Sequence, residues 1–129
     1  MVRSRRYLID TNVLIWWMAD SPRLSENIKN LLINSQSEIF LSVVSVWEVV
    51  IKKQVGKLRP PRDWKITLEK QKFEILTLDL PHVFYLEKLP FLHKDPFDRM
   101  LVAQALSEKL TLITADEKLR QYRVKVLTT

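Results

Sequence analysis

A three-layer α/β/α sandwich around a central, mainly parallel sheet of four to five strands is the fold this 129-residue chain predicts. Three observations carry it. Short apolar runs of strand length alternate with longer segments of helical period from one end of the chain to the other. Hydrophobic residues make up 47% of the chain and charged residues 28%, enough apolar material to cover both faces of a parallel sheet. There is no cysteine, so the core has to form without disulfides or thiolate metal sites.

Each element follows from local signals. Residues 7–10 read as a buried strand and residues 13–18 as a helix. Pro22 breaks that pattern, and Ser25 caps a second helix running to residue 34. Residues 39–42 form the next strand. Ser45 then opens a helix through residue 55, whose end suits Gly56, the single glycine. Residues 57–63, with Pro60 and Pro61, form a loop before a helix over 64–71 and an alternating strand over 73–78. Asp79 caps a helix through residue 88, and PFLHKDP is a second loop. Pro96 suits the first position of a helix reaching residue 109. A strand over 111–114, a short helix over 117–122 and a strand over 124–127 complete the pattern. No repeat, linker or low-complexity tract divides it, so one domain over residues 1–129 is expected.

Composition excludes several functions. The sequence holds neither G-x-G-x-x-G nor G-x-x-x-x-G-K-[ST], which removes dinucleotide folds and P-loop nucleotidases. A net charge of +6 suits a polyanionic partner. Arg3, Arg5 and Arg6 before YLIDTNVLIWWMA loosely imitate a signal peptide, but Asp10 and Asn12 interrupt the apolar stretch. The apolar run over residues 39–51 contains Ser42, Ser45 and Glu48 and is too short to span a bilayer. A soluble, cytoplasmic protein without membrane contact is expected.

Four acids stand where strands run into helices: Asp10 in LIDTN, Glu48 in SVWEV, Asp98 in DPFDR and Asp116 in ITADE. Each alone has an ordinary explanation. Asp10 suits a helix N-cap, Ser45 and Glu48 have capping-box spacing, and Glu48 stands four residues before Lys52. Asp98 lies in a first helical turn, and Asp116 falls inside a second capping box from Thr114 to Glu117. Asp98 resists that explanation, because at 100° per residue it falls between Val102 and Ala105, away from Gln104 and Glu108. The conjunction says more. In a parallel sheet the carboxyl ends of the strands share one edge, where ligands bind. Four carboxylates gathered there repel one another unless hard cations such as Mg²⁺ or Mn²⁺ lie between them.

YLIDTNVLIWW, LSVVSVWEVVIKKQVGKL, HKDPFDRMLVAQA and LTLITADEKLRQY, in that order, resemble the PIN-domain family of small metal-dependent ribonucleases. They are similar above all to the toxins of VapBC-type toxin–antitoxin pairs. The resemblance covers nearly the whole chain. It implies that Asp10, Glu48, Asp98 and Asp116 are the catalytic acids and ligands of one or two ions. Asn12 and Thr114 match polar helper positions, and Asp95 becomes a cap or a supporting acid. The chemistry implied is metal-assisted hydrolysis of RNA phosphodiesters, leaving 5′-phosphate and 3′-hydroxyl ends. A homodimer and a cognate antitoxin are implied partners.

The remaining candidates are weaker. Lys52, Lys53, Lys57, Arg59, Arg62 and Arg99 are possible phosphate contacts, with Lys52, Lys53 and Arg99 nearest the acids in sequence. His93 lies close to DPFD, although the plain loop reading is favoured, and His82 shows no ligand spacing. Trp16 and Trp17 suit base stacking or packing, and together with Leu31 and Leu32 they offer an apolar groove for an antitoxin segment or simply cover the sheet. Two other readings keep the same residues: a housekeeping RNA-processing nuclease, and a non-catalytic RNA-binding or regulatory module.

Overall fold

Strand β1 (Arg5–Ile9) runs through the middle of a five-stranded sheet, between β2 (Ser37–Ser42) and β4 (Thr111–Thr114). The outer strands are β3 (Glu74–Leu76) beside β2 and β5 (Val126–Thr128) beside β4. Every pairing is parallel. The computed structural model describes residues 5–129, so Arg3 lies outside the described residues. The expected α/β sandwich is the observed fold, with all five strands parallel.

Strand alternation builds the two cores. Leu8, Phe40 and Leu112 share a register and face α6 (Pro96–Glu108), packing with Leu101, Val102 and Ala105. Ile9, Leu41 and Ile113 face the other way, toward α1 (Thr11–Met18) and α2 (Glu26–Ile33), where Val13, Leu14, Ile28 and Leu32 close the second core. Each fully buried Leu or Ile of these clusters is worth about 1.5–3 kcal/mol over an exposed one. Strands buried on both faces leave polar residues only at their ends, and that is where the functional candidates lie.

The register decides which ends meet. Ile9 pairs with Leu41 and with Ile113, so Asp10, Ser42 and Thr114 emerge side by side at one edge. Asp10 caps α1 by accepting the Val13 N–H at 2.9 Å. Ser25 caps α2 as expected.

Several boundaries differ from the sequence reading. The third helix, α3 (Val43–Gln54), is opened by Ser42, whose hydroxyl accepts the Val44 N–H, and not by Ser45. Ser45 is therefore inside the helix and buried, and no Ser45–Glu48 capping box forms. Helix α4 (Trp64–Lys70) ends one residue early. The alternating run over 73–78 pairs only through β3, an edge strand with a single neighbour. The helix expected over 79–88 is α5 (Leu80–Tyr85) followed by a tight 3₁₀ turn. The last strand starts at Val126 rather than 124.

Two more differences are chemical. Gln104, read as marking the solvated side of α6, is fully buried where α5 packs across that helix. Its Oε1 accepts from Ser42 Oγ at 2.5 Å and its Nε2 donates to the Thr77 carbonyl at 3.2 Å. Beside it, buried His82 accepts the Asp79 N–H on Nδ1, which leaves Nε2 to donate to Glu108 at 2.8 Å. Trp16, Trp17, Leu31 and Leu32 pack against the α1–α2 core, and Trp17 and Leu32 also border an open hollow with Ile33, Ile39 and Phe73. Trp17 meets Phe73 at 6.1 Å between ring centroids, and the Arg23 guanidinium lies over Trp16.

Candidate active site

The four acids arrive by different routes at the carboxyl edge of the sheet. Asp10 follows β1, and Asp116 follows β4 by two residues. Glu48 comes from the middle of α3 and Asp98 from the first turn of α6. Both helices start at that edge, because Ser42 ends β2 and the loop before α6 returns across it. Their charges bear on one another: Glu48 and Asp116 act on Asp10, while Asp10, Glu48 and Asp95 act on Asp98.

Asp10 and Glu48 are the fixed half of the cluster, each 4% exposed. Thr114 Oγ1 donates to Asp10 Oδ2 at 2.5 Å, and the same oxygen accepts the Asp116 N–H at 3.0 Å. One hydroxyl thus ties the first acid to the backbone of the fourth. Thr11 Oγ1 donates to Glu48 Oε1 at 2.5 Å, and Lys52 Nζ holds the other carboxylate oxygen. The Glu48–Lys52 pair, read from spacing as a surface ion pair, therefore has a buried acid and a part-buried cation. Thr114 orients Asp10; Asn12 is exposed, and Thr11 serves Glu48 instead.

Asp98 and Asp116 are the open half. Asp95 caps α6, its Oδ1 accepting the N–H groups of Phe97 at 2.8 Å and Asp98 at 3.0 Å. That fixes the Asp98 backbone but leaves its carboxylate without a hydrogen bond among the described residues. Asp116 caps the 3₁₀ turn at Glu117–Gln121 through the Lys118 N–H and turns its second oxygen inward.

His93 belongs to this cluster, contrary to the loop reading. Its own N–H donates to the Tyr122 hydroxyl at 3.0 Å, and its Nδ1 accepts the Asp95 N–H at 3.1 Å. The proton of a neutral ring is thereby assigned to Nε2, which donates to Asp116 Oδ2 at 3.1 Å and stands 3.8 Å from Asp98 Oδ2. Donor atoms of His93, Asp98 and Asp116 all lie within 4.8 Å of one another. Sequence reasoning missed this because the contact joins two loops 23 residues apart; the closeness of His93 to DPFD was the only signal.

Burial and mutual repulsion shape the ionisation of these acids. Burial foremost, then the charges of Glu48 and Asp116, pushes the Asp10 pKa up to about 6, against the Thr114 and Val13 hydrogen bonds. Asp98 rises to about 7 through burial, then Asp95, Asp10 and Glu48, with His93 opposing. Partial burial pulls Lys52 down, but the hydrogen bond and charge of Glu48, followed by Asp95 and Asp98, leave its pKa raised overall.

The residues fit a hard divalent cation. Asp98 offers part-buried oxygens with no hydrogen-bond donor, Asp116 offers one beside it, and Asp10 and Glu48 add further carboxylate oxygens, while His93 serves as a hydrogen-bond donor to Asp116. The suggested phosphate contacts are less well placed. Lys52 is bound to Glu48, Lys53 lies along the α4 side with Trp64, and Arg99 stacks on Phe91 at 4.7 Å.

The family profile of the PIN domain matches residues 7–125. The chain belongs to the PIN-domain family. PIN domains are nucleases, which makes a phosphodiester-cleaving hydrolase the coarse reading of this site. Solved structures agree in fold. VapBC2 from Rickettsia felis, bound to a promoter DNA fragment, superposes with a TM-score of 0.74 at 19% identity, covering 95% of this chain and 98% of that one. The DNA-bound VapBC of Salmonella typhimurium gives 0.70 at 17% identity, over 96% and 98%. FitAcB from Neisseria gonorrhoeae gives 0.66 at 22%, over 94% and 96%. Comparison with curated protein sequences gives no match. No helix among the described residues is long and apolar enough to cross a membrane.

Proposed function

We propose that the chain is a Mg²⁺- or Mn²⁺-dependent ribonuclease, the toxin of a VapBC-type toxin–antitoxin pair acting in the cytoplasm. The observation that carries this reading is the clustering of Asp10, Glu48, Asp98 and Asp116, with two of the four held by buried threonine hydroxyls. Stability alone gives no reason to hold repelling, desolvated carboxylates at one edge.

Asp98, Asp116 and Asp10 would hold one or two divalent ions, directly or through water. Bound there, the metal supplies an acidified water and neutralises charge on the reacting phosphate. The protein's own groups do the positioning. Glu48, clamped between Thr11 and Lys52, is placed to orient the attacking water. Lys52 carries its charge to the rim of the cluster, where it opposes that of a phosphate. Thr114 keeps Asp10 and the Asp116 backbone in one geometry, and Asp95 does the same for the first turn of α6.

Partner binding fits the exposed apolar residues. Surfaces that suit an antitoxin segment and a homodimer contact are the hollow bordered by Trp17, Leu32 and exposed Ile33, together with Trp47 and Ile51 on α3, Leu80 and Phe84 on α5, and Phe91 with Leu92 near the acids. The solved relatives named above as VapBC are toxin–antitoxin complexes, which supports a protein partner of that kind.

The test is cleavage of a mixed structured and single-stranded RNA pool with Mg²⁺, Mn²⁺ or EDTA, alongside Asp10→Ala and Asp98→Ala. Metal-dependent cutting lost in both folded variants is expected. A folded, partner-free wild type that cuts no RNA, including tRNA and ribosomal RNA, would overturn the reading.

A further inference from the structure

The opposite edge of the sheet holds a second charged feature. Where β1 and β4 begin and the chain enters β5, a cavity of about 670 Å³ is lined by Arg5, Arg6, Lys109, Arg123 and Lys125, with Tyr7 among them. No acidic side chain lines it. Its five cations are drawn from the 21 Lys and Arg of the chain. Among the described residues only Arg6 has a carboxylate within reach, Glu38 at 4.0 Å. The other four present unpaired charge to one concave surface, and like charges gathered this way repel one another in the absence of an anion.

The backbone adds an independent observation. Lys109 ends α6 in the left-handed conformation, at φ 59°, where glycine is the favoured residue. A long cation stands at a position that strains any residue with a side chain, and its side chain lines the cavity. The volume falls in the range of ligand-sized cavities, roughly 300–1,000 Å³. By contrast, the cations near the acids are largely committed, Lys52 to Glu48 and Arg99 to Phe91.

We propose that this cavity is a second phosphate-binding site, which anchors RNA flanking the scissile bond at the sheet edge away from the acids. The identity of the anion rests on the ribonuclease reading above; the presence of a site does not. Five-residue β1 separates the two edges by about 16 Å at ~3.3 Å per residue, so a short oligonucleotide occupies the acidic edge alone while a longer RNA reaches both. The site therefore gives preference for long or structured RNA with no base-specific contact.

The experiment compares wild type with Arg123→Glu/Lys125→Glu, both exposed positions away from the acids. Binding of a long structured RNA and of a short single-stranded oligonucleotide is measured in EDTA across a salt series, and cleavage of each is measured with Mg²⁺. The expected result is about tenfold weaker binding of the long RNA, a salt slope shallower by about 1 for each cation removed, and unchanged binding and cleavage of the oligonucleotide. Unchanged affinity for the long RNA overturns the proposal. An equal loss for both RNAs also overturns it, because that describes a general field and not a site. Anionic vesicles that bind through these residues while RNA binding is unaffected would replace it with a membrane contact. Wild-type cleavage reads the activity separately: a protein that cuts nothing yet loses long-RNA affinity in the variant keeps this site and loses the ribonuclease reading.

Discussion

The two edges of the sheet are opposites in charge and in the way that charge is held. At the carboxyl edge, Asp10 and Glu48 are buried, hydrogen-bonded and fixed by threonines. At the amino edge, Arg5, Lys109, Arg123 and Lys125 are exposed and have no carboxylate within 4.0 Å among the described residues. The difference separates two tasks. Chemistry on a phosphate needs groups held in place before the substrate arrives, and desolvation is tolerated to achieve that. Attraction of a polyanion needs only sign and number, so cations serve without being fixed.

The sharpest way to break the contrast is to remove the charge of the open acid. Asp98→Asn is expected to lower RNA cleavage by at least about 10²-fold, while the metal-free protein melts at the same or a higher temperature at pH 8. The second half follows from the repulsion that Asp98 experiences there. A variant that melts markedly lower would show Asp98 to be a structural acid.

Disturbing the support is expected to do less. Thr114→Val removes the donor to Asp10 and the acceptor of the Asp116 N–H. Metal affinity should fall about 10–100-fold, as for other groups that orient a ligand from behind it. Calorimetric titration with Mn²⁺ decides this, and an unchanged affinity would mean that the threonine only closes the sheet edge.

The pH response sharpens the same point. Asp10 and Asp98 have folded pKa values raised to about 6 and about 7 from 3.8, so the folded state binds protons more tightly than the unfolded chain. Stability from this source is full below pH 3.8 and is lost as pH rises through 6 to 7. Metal-free thermal stability is therefore expected to fall between pH 5 and 8 as far as these acids govern it, whereas Mg²⁺ affinity rises over the same window because metal and proton compete. Melting curves with EDTA and with Mg²⁺ should diverge as pH increases; parallel curves would refute the coupling.

The smallest effect on chemistry is expected from Gln104, which hydrogen-bonds Ser42 and the Thr77 carbonyl but none of the four acids. Gln104→Ala should cost about 1–3 kcal/mol, because Ser42 and the Thr77 carbonyl lose their buried partner. Cleavage at a temperature where the variant stays folded should remain within a few-fold of wild type. A large loss of activity would mean that the Ser42 cap of α3 transmits strain to Glu48.

The sequence by itself determined the parallel α/β fold and the convergence of the four acids. Both follow from patterning: apolar runs buried on both faces leave Asp10, Asp98 and Asp116 just beyond strand ends or in first helical turns, and parallel order brings those ends together. Only the tertiary structure decided which group serves which. Ser42 caps α3 instead of Ser45, Thr114 reaches Asp10 across 104 residues, and Gln104 is polar yet buried under α5. His93 joins Asp116, and Trp16 and Trp17 pack, partly buried, against the α1–α2 core. The cations of the amino edge, scattered from Arg5 to Lys125, become one surface only when β1, β4 and β5 lie side by side. Periodicity records which way a side chain points along its own element, and it holds no information about what a different element brings to meet it.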